Sequence, residues 1–513
     1  MKRRTFLRGM AMSLAGAGAL GLAACAPNGG DGVQLTETGS SQGASHQDWA
    51  DKVSATKDAD VVVVGAGTSG LAAAVQAAEL GLATLLLEAQ NELPGRGPEG
   101  IAAIDSSFQI QQGIHADIAA IIQEEGKMFN WRINPLFIED MFKRSGDNLD
   151  WLVEQGVQFT GQVDTYKGMS EHTIFHWFPG DHDSPHAYNV PMEEKFQSYG
   201  NTEYLRGVRG RDLIINDGVV AGLYATSATD VLQINAKAVI LATGGYASDT
   251  EMVAERWPGL PVGRWVCDGF PTCIGDGLKM ALSAGGVDVS TKRSLMGYVV
   301  CNCAEKALST VGLSAAACWI NEAGERFVPE DHGNANLLMT MNPIMEQRES
   351  FAVVDSSILD SLAEGGAQLA LKSIEEGETE IVSGESLEAL AQAMGVDPAT
   401  LTQEVSIYNQ ACEAGFDGRF GKAKENLVKI EKAPFFAFRQ VACGHCNVGG
   451  IEVNRKYEVV TREGMPIIGL YATGLESNML GRETYTLNIS GSCMCNNVDS
   501  GRVAAMSAKN YIG

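Results

Sequence analysis

Three closely spaced glycines and the acid that follows them carry the most specific chemistry in this chain. Gly65-Ala66-Gly67-Thr68-Ser69-Gly70 follows the β-branched run Asp60-Val61-Val62-Val63-Val64 and leads into an alanine-rich stretch, Leu71 to Leu80. In such a motif Gly65 permits a tight turn and Gly67 lets the backbone approach a pyrophosphate. Gly70 allows helix and strand to pack closely. The helix start offers unpaired N–H groups to phosphate oxygens. Glu88 closes the next apolar run, Ala83 to Leu87, where it is placed to accept hydrogen bonds from ribose hydroxyls. A glycine triplet alone is weak evidence, but the full order of strand, triplet, helix, strand and acid predicts a dinucleotide site.

Other groups are less decisive. Cys301 with Cys303, Cys443 with Cys446, and Cys493 with Cys495 form close pairs. Their spacing suits buried thiols, disulfides or an iron–sulfur cluster, although no Cys-x2-Cys-x2-Cys run is present. His172, His176, His182 and His186 fall close together beside Trp177, Pro179, Gly180 and Pro185. With no His-x3-His pair on a convincing helix, they read as a polar loop rather than a metal site. The acidic stretch Glu375 to Glu385 reads as solvated surface.

The elements that position these groups are parallel strands with intervening helices. Asp60–Val64 has the continuous apolar character of a strand buried on both faces. Ala238 to Ala242, before Thr243-Gly244-Gly245, is a second such strand, and Gly469 to Thr473, before Gly474-Leu475-Glu476, is a third. Gly275-Asp276-Gly277 adds another turn ahead of a helical stretch. Two late strands returning to one nucleotide site fit a flavin, held along its length by distant parts of the chain, better than a nicotinamide.

The 513 residues are 45% hydrophobic and 20% charged, with 59 Gly, 15 Pro and 11 Cys. Disorder, collagen-like repeats and a disulfide scaffold are excluded. A formal charge of −25 repels phosphate backbones, so nucleic acid is not an expected partner. Lys2, Arg3, Arg4 and Arg8 precede an apolar run from Gly9 to Ala24, and Arg3-Arg4-Thr5-Phe6-Leu7 looks like a twin-arginine export signal. Leu22-Ala23-Ala24-Cys25 also resembles a lipobox, which would leave a lipidated Cys25. The expected organisation is a signal over 1–24 and a flexible linker over 25–57, with export to the periplasm or cell envelope. Beyond residue 24 no stretch is apolar enough to span a membrane.

From residue 58 onward the chain resembles the FAD-dependent fumarate reductase and succinate dehydrogenase flavoproteins, in their soluble, exported, flavocytochrome-like branch. Besides the motifs above, Ser145-Gly146-Asp147-Asn148-Leu149-Asp150-Trp151-Leu152 matches that family. So do Asn321-Glu322-Ala323-Gly324-Glu325-Arg326-Phe327 and Asp397-Pro398-Ala399-Thr400-Leu401 with Tyr408-Asn409. The resemblance implies an α/β fold, with a Rossmann-like FAD domain split over 58–288 and 434–513 and an α+β capping domain over 289–433. It places FAD contacts on Ser69, Glu88, Asp276, Glu476 and the Ser490-Gly491-Ser492 turn, with Gly244 and Gly245 in the same site. The segment after Glu88 lacks the family's flavin-linking His, so the FAD is expected to be non-covalent. The haem motif is also missing, so electrons are expected from a membrane-linked cytochrome or quinol donor. The cysteine content is similar to that of the cardiac-glycoside (digoxin) reductase type.

The departures from the family point away from fumarate. The proton-donating Arg four residues beyond the Glu of Gly-x-Arg-Phe-x-x-Glu falls on Asn334, since Glu330 ends that motif. The relay Glu and Arg fall on Thr310 and Leu313, and the substrate-binding His on Gly297. The carboxylate-binding Arg falls on Asn488, with Arg482 close by. Only the His before Gly449-Gly450 survives in part, as His445 or Cys446. The expected reaction is therefore saturation of a C=C bond in another α,β-unsaturated small molecule, with Tyr485, His445 and His332 as candidate acids. The alternatives are a dehydrogenase like the ketosteroid enzymes, running in the oxidising direction, and a flavin electron-transfer protein without catalysis.

Overall fold

The computed structural model describes residues 49–92, 98–167, 170–180, 186–256, 265–267, 269–290, 295–333, 340–447, 449–477 and 487–513. Arg3, Arg4, Cys25, Arg482 and Tyr485 lie outside them. The valine run forms the buried end of the strand Ala55–Val64, which starts five residues before the sequence pattern shows because its first half is half exposed. It pairs in parallel with Thr84–Glu88 on one side and Val231–Leu241 on the other. Pro466–Ala472 and Thr202–Arg206 extend the parallel sheet outward, and Glu458–Val460 adds an antiparallel edge. An antiparallel hairpin, Arg209–Asn216 and Val219–Thr226, joins at Val231–Leu241. The late strand Pro466–Ala472 therefore lies within the nucleotide sheet, as its sequence suggests.

The helix after the glycine loop runs Thr68–Glu79, three residues earlier than the apolar pattern predicts. Thr68, Ser69 and Gly70 form its first turn. The C-terminal helix Ser492–Ile512 packs along it, and Pro135–Glu154 packs on that helix in turn. A buried polar network fixes the second contact. Asp499 accepts a bidentate pair from Arg144, each bond 2.7 Å, and a third bond from Asn148 at 2.9 Å.

A separate antiparallel sheet orders Cys318–Asn321, Ser350–Asp355, Phe435–Arg439 and Ile381–Gly384, and four helices accompany it between Ser356 and Ala414. Three of these strands lie in the expected cap and the fourth follows its boundary directly. Asp397 caps the helix Pro398–Ala414 by accepting from the Thr400 amide at 2.8 Å. The acidic stretch 375–385 is more than solvated surface. Its Ile381–Gly384 half is a sheet strand, and the Glu378 carboxylate accepts from the Ala304 and Glu380 amides. Two smaller three-stranded sheets remain. One contains Val441–Asn447 between Trp265–Cys267 and Leu295–Val300, and the other joins Gly100–Ala102, Phe175–Trp177 and Val163–Asp164. Among the described residues no helix is long and apolar enough to cross a membrane.

Candidate cofactor and active site

A cavity of about 370 Å³ opens beyond the carboxyl ends of the parallel strands. This is where open α/β sheets bind ligands. Each glycine of the loop has a distinct geometric reason. Gly65 has φ +105°, and a Cβ there would sit 2.4 Å from the Ala242 carbonyl oxygen. A Cβ on Gly70 would come within 1.8 Å of the Gly65 carbonyl oxygen. A Cβ on Gly67 would meet nothing within 4 Å, because that side faces the cavity.

Glu88 lies in the wall, buried, with one carboxylate oxygen on the Ala66 amide and the other on the Gln90 amide, both at 2.9 Å. Burial pushes its carboxyl above the usual carboxylate range. Each oxygen keeps a lone pair for a further hydroxyl donor. Ser69, Gly244, Asp276, Ser490 and Gly491 also line the cavity. Gly70, Gly245, Glu476 and Ser492 do not line it; they stand behind its wall. Glu476 is fully enclosed and accepts from the Thr243 hydroxyl and, at 3.0 Å, from the Gly245 amide. Its role in this geometry is to shape the Thr243–Gly245 turn.

Asn447 is a residue the sequence reading passed over. Its side-chain oxygen accepts from the Tyr246 amide at 2.8 Å, while its NH₂ donates to the carbonyls of Gly449 at 2.6 Å and Leu475 at 3.1 Å. One buried amide thus ties three distant turns together. The only signal was its place directly after Cys446 and before the Gly pair.

The wall fits an FAD on three observations. The open side of Gly67 is one. The helices Thr68–Glu79 and Ser492–Ile512 both begin at the cavity with glycine N-caps, and among the described residues no side chain caps either. Their first-turn N–H groups are therefore left for an anion or carbonyl. Asn497, in the wall and buried, has a side-chain oxygen without a partner among the described residues, which suits a sugar hydroxyl.

Of the three candidate acids only His332 has a described side chain, since Tyr485 and the side chain of His445 lie outside the described residues. His332 is absent from the cavity wall: its Nδ1 faces the Pro329 carbonyl at 2.7 Å and its ring stands edge-on to Trp319 at 5.3 Å. Nδ1 therefore carries the proton and Nε2 is an acceptor, the wrong polarity for an acid in the neutral ring. His445 lies on the strand Val441–Asn447, whose next residue, Cys446, reaches the wall. Asn488 donates to Glu124 at 2.8 Å, and Glu124 also meets His172 at 2.7 Å. His176 is a core residue, with Nε2 at 2.7 Å from the Ser106 hydroxyl, and burial lowers its pKa to about 4.

The described cysteines are free thiols. Burial raises Cys273 and Cys493, both in the wall, to about 12, so they stay protonated. Among the described residues, no group of three or more His, Cys, Asp or Glu side chains is arranged to hold a metal.

Residues 60–481 match the FAD binding domain family. The chain belongs to that family. It is an FAD-dependent oxidoreductase of the fumarate reductase and succinate dehydrogenase flavoprotein type. Within this family it is similar to the vinyl phenol reductase of Lactiplantibacillus plantarum, at 28% identity over 88% of this chain and 96% of that one. It is also similar to the digoxin reductase of Eggerthella lenta, at 24% identity over 92% and 91%. Its fold matches an open flavocytochrome c3 fumarate reductase with TM-score 0.69 and 22% identity, over 90% of this chain and 80% of that one.

Proposed function

We propose that this flavoprotein saturates a C=C bond in an α,β-unsaturated organic molecule other than fumarate. The observation that carries the reading is the charge of the cavity wall. Arg209 is the only cationic side chain among its described residues, and its Nε is held by Asp276 at 2.5 Å. With the two helix starts taken up by the cofactor, the described wall would offer a dicarboxylate no cationic side chain that is not already paired, so its lost hydration would go uncompensated. The rest of the wall is largely apolar and aromatic, with Tyr166, Phe175 and Phe270, and suits a conjugated, uncharged substrate. When bound, FAD supplies the hydride. Similarity to a vinyl phenol reductase supports the same class.

The purified protein, with FAD that acid precipitation releases, should oxidise reduced viologen with a vinyl phenol or enone. Fumarate should be slower by at least about 10² in kcat/KM, the scale of losing roughly 2.7 kcal/mol of charge pairing. Fast fumarate turnover would end this reading.

The electron donor in the cell is proposed to be a membrane-linked cytochrome or quinol system. The proposed location is the periplasm or cell envelope, reached by twin-arginine export, with a lipidated Cys25 as the proposed anchor. Replacing Arg3 and Arg4 by Lys should leave the protein in the cytoplasm. Normal export of that variant, followed by cell fractionation, would point to another route.

A further inference from the structure

Pro98, Glu99, Gly100, Tyr166 and Phe175 line the cavity together with Ser490 and Gly491. A Cβ on Gly491 would come within 2.5 Å of the Ala102 amide and 2.9 Å of the Phe175 ring, so this wall closes on the start of the C-terminal helix. The Tyr166 hydroxyl donates to one carboxylate oxygen of Glu99. The other oxygen accepts from Lys167 Nζ at 3.0 Å. The Glu99 side chain is 16% exposed and that of Lys167 is 53% exposed. A continuous hydrogen-bonded path therefore runs from the cavity wall to solvent.

The backbone is held out of its usual range to make this path. Tyr166 and Lys167 both have positive φ, +50° and +57°, without either being glycine. Conformations of this kind are strained for residues other than glycine and cluster at functional sites. Asp164 holds the turn, accepting from the Tyr166 amide at 2.7 Å and from Trp177 Nε1 at 2.8 Å. Phe175 at 4.6 Å and Trp177 at 5.6 Å fix the Tyr166 ring from two sides. Burial and the neighbouring Glu99 push its phenol above the ordinary tyrosine range, so the hydroxyl keeps its proton at neutral pH.

We propose that Tyr166 is the proton donor of the reduction, resupplied through Glu99 and Lys167. The inference rests on the reading of the cavity as an alkene-reducing site. FAD, when bound and reduced, would supply a hydride to one alkene carbon; the Tyr166 hydroxyl, turned from Glu99 toward the substrate, would give its proton to the other carbon, where the C=C electron pair forms the C–H bond as the O–H bond breaks. The phenolate recovers a proton through Glu99 from the Lys167 ammonium, which regains one from water. The balance is one hydride from the flavin and one proton from solvent. Tyr166 is then a catalytic residue, and Glu99 and Lys167 are positioning and relay residues acting through it.

The test uses the full FAD-loaded chain with Tyr166→Phe and Glu99→Gln. Flavin content, the Kd of the saturated product 4-ethylphenol read from the flavin spectrum, and viologen-linked reduction of 4-vinylphenol are measured together. Y166F should keep its flavin and bind the product within about threefold of wild type, while kcat falls by about 10² to 10³, the usual weight of a proton donor. E99Q should lose at least tenfold in kcat with KM unchanged and show a larger solvent deuterium isotope effect. A Y166F variant that keeps more than a third of wild-type kcat overturns the proposal. If Y166F does not retain flavin, E99Q decides, and full kcat with an unchanged isotope effect overturns it. A wild-type protein inert to every alkene would instead remove the reductase reading on which the proposal stands.

Discussion

Glu330→Ala should lower the stability of the sheet that runs from Cys318 to Arg439 by about 3–5 kcal/mol, the cost of breaking a buried ion pair. Glu330 is enclosed and accepts three hydrogen bonds, from Trp319 N at 3.1 Å, Arg326 Nε at 2.7 Å and Arg326 Nη2 at 2.8 Å, and it forms an ion pair with Lys422 Nζ at 3.2 Å. Arg326 and Lys422 are themselves 3% and 0% exposed, so neither cation can turn to water. Asp417, at 2.8 Å from Arg326, would be left to balance both. A fall in melting temperature of more than about 6 °C is expected, taking roughly 2 °C per kcal/mol at this domain size. A melt within 2 °C of wild type would show that the network contributes little.

The second large effect separates two glycines of one motif. Gly70→Ala should break both the protein and its cofactor site, because the new methyl meets a backbone carbonyl of the same loop and no flexible side chain can yield. Overpacking of this kind costs about 1–3 kcal/mol even where neighbours can shift. Gly67→Ala should leave the apoprotein's stability within about 0.5 kcal/mol, since its φ of −69° suits alanine and the methyl points into open space. Its FAD affinity should nevertheless fall by at least tenfold, about 1.4 kcal/mol. Chemical denaturation of the two apoproteins, with flavin titration of each, checks the pair. Equal stability loss in both variants would contradict the assigned geometry.

The nucleotide half of the site was legible because its signals are local. A turn, a close approach and a helix start each demand glycine at a fixed offset, and buried parallel strands read as continuous apolar runs. Glu88 followed from the same grammar. Glu476 was placed in the right neighbourhood, but sequence cannot tell a wall residue from one behind the wall. Asn447, Lys422 and Asp417 were illegible because their partners are remote in sequence and set by tertiary packing alone. Tyr166 escaped for a related reason: its partner Glu99 is 67 positions away, and the two left-handed residues that aim it, Tyr166 and Lys167, are not glycines. The candidate acids came from the family resemblance, and of them only His332 has a described side chain, at a position away from the cavity wall.

The cofactor wall also sets a clock on synthesis. Thr68, beside the glycine loop, meets Asn497, 429 positions later. At roughly 5–20 residues per second the loop and its valine strand wait about 20–90 s before the opposite wall exists. During that interval the nascent sheet shows an unpaired, strongly apolar edge, because Val231–Leu241 and then Pro466–Ala472 must each arrive in turn. Flavin loading is in this sense a late event in the life of the chain, and the growing polypeptide depends on whatever shields that edge in the meantime.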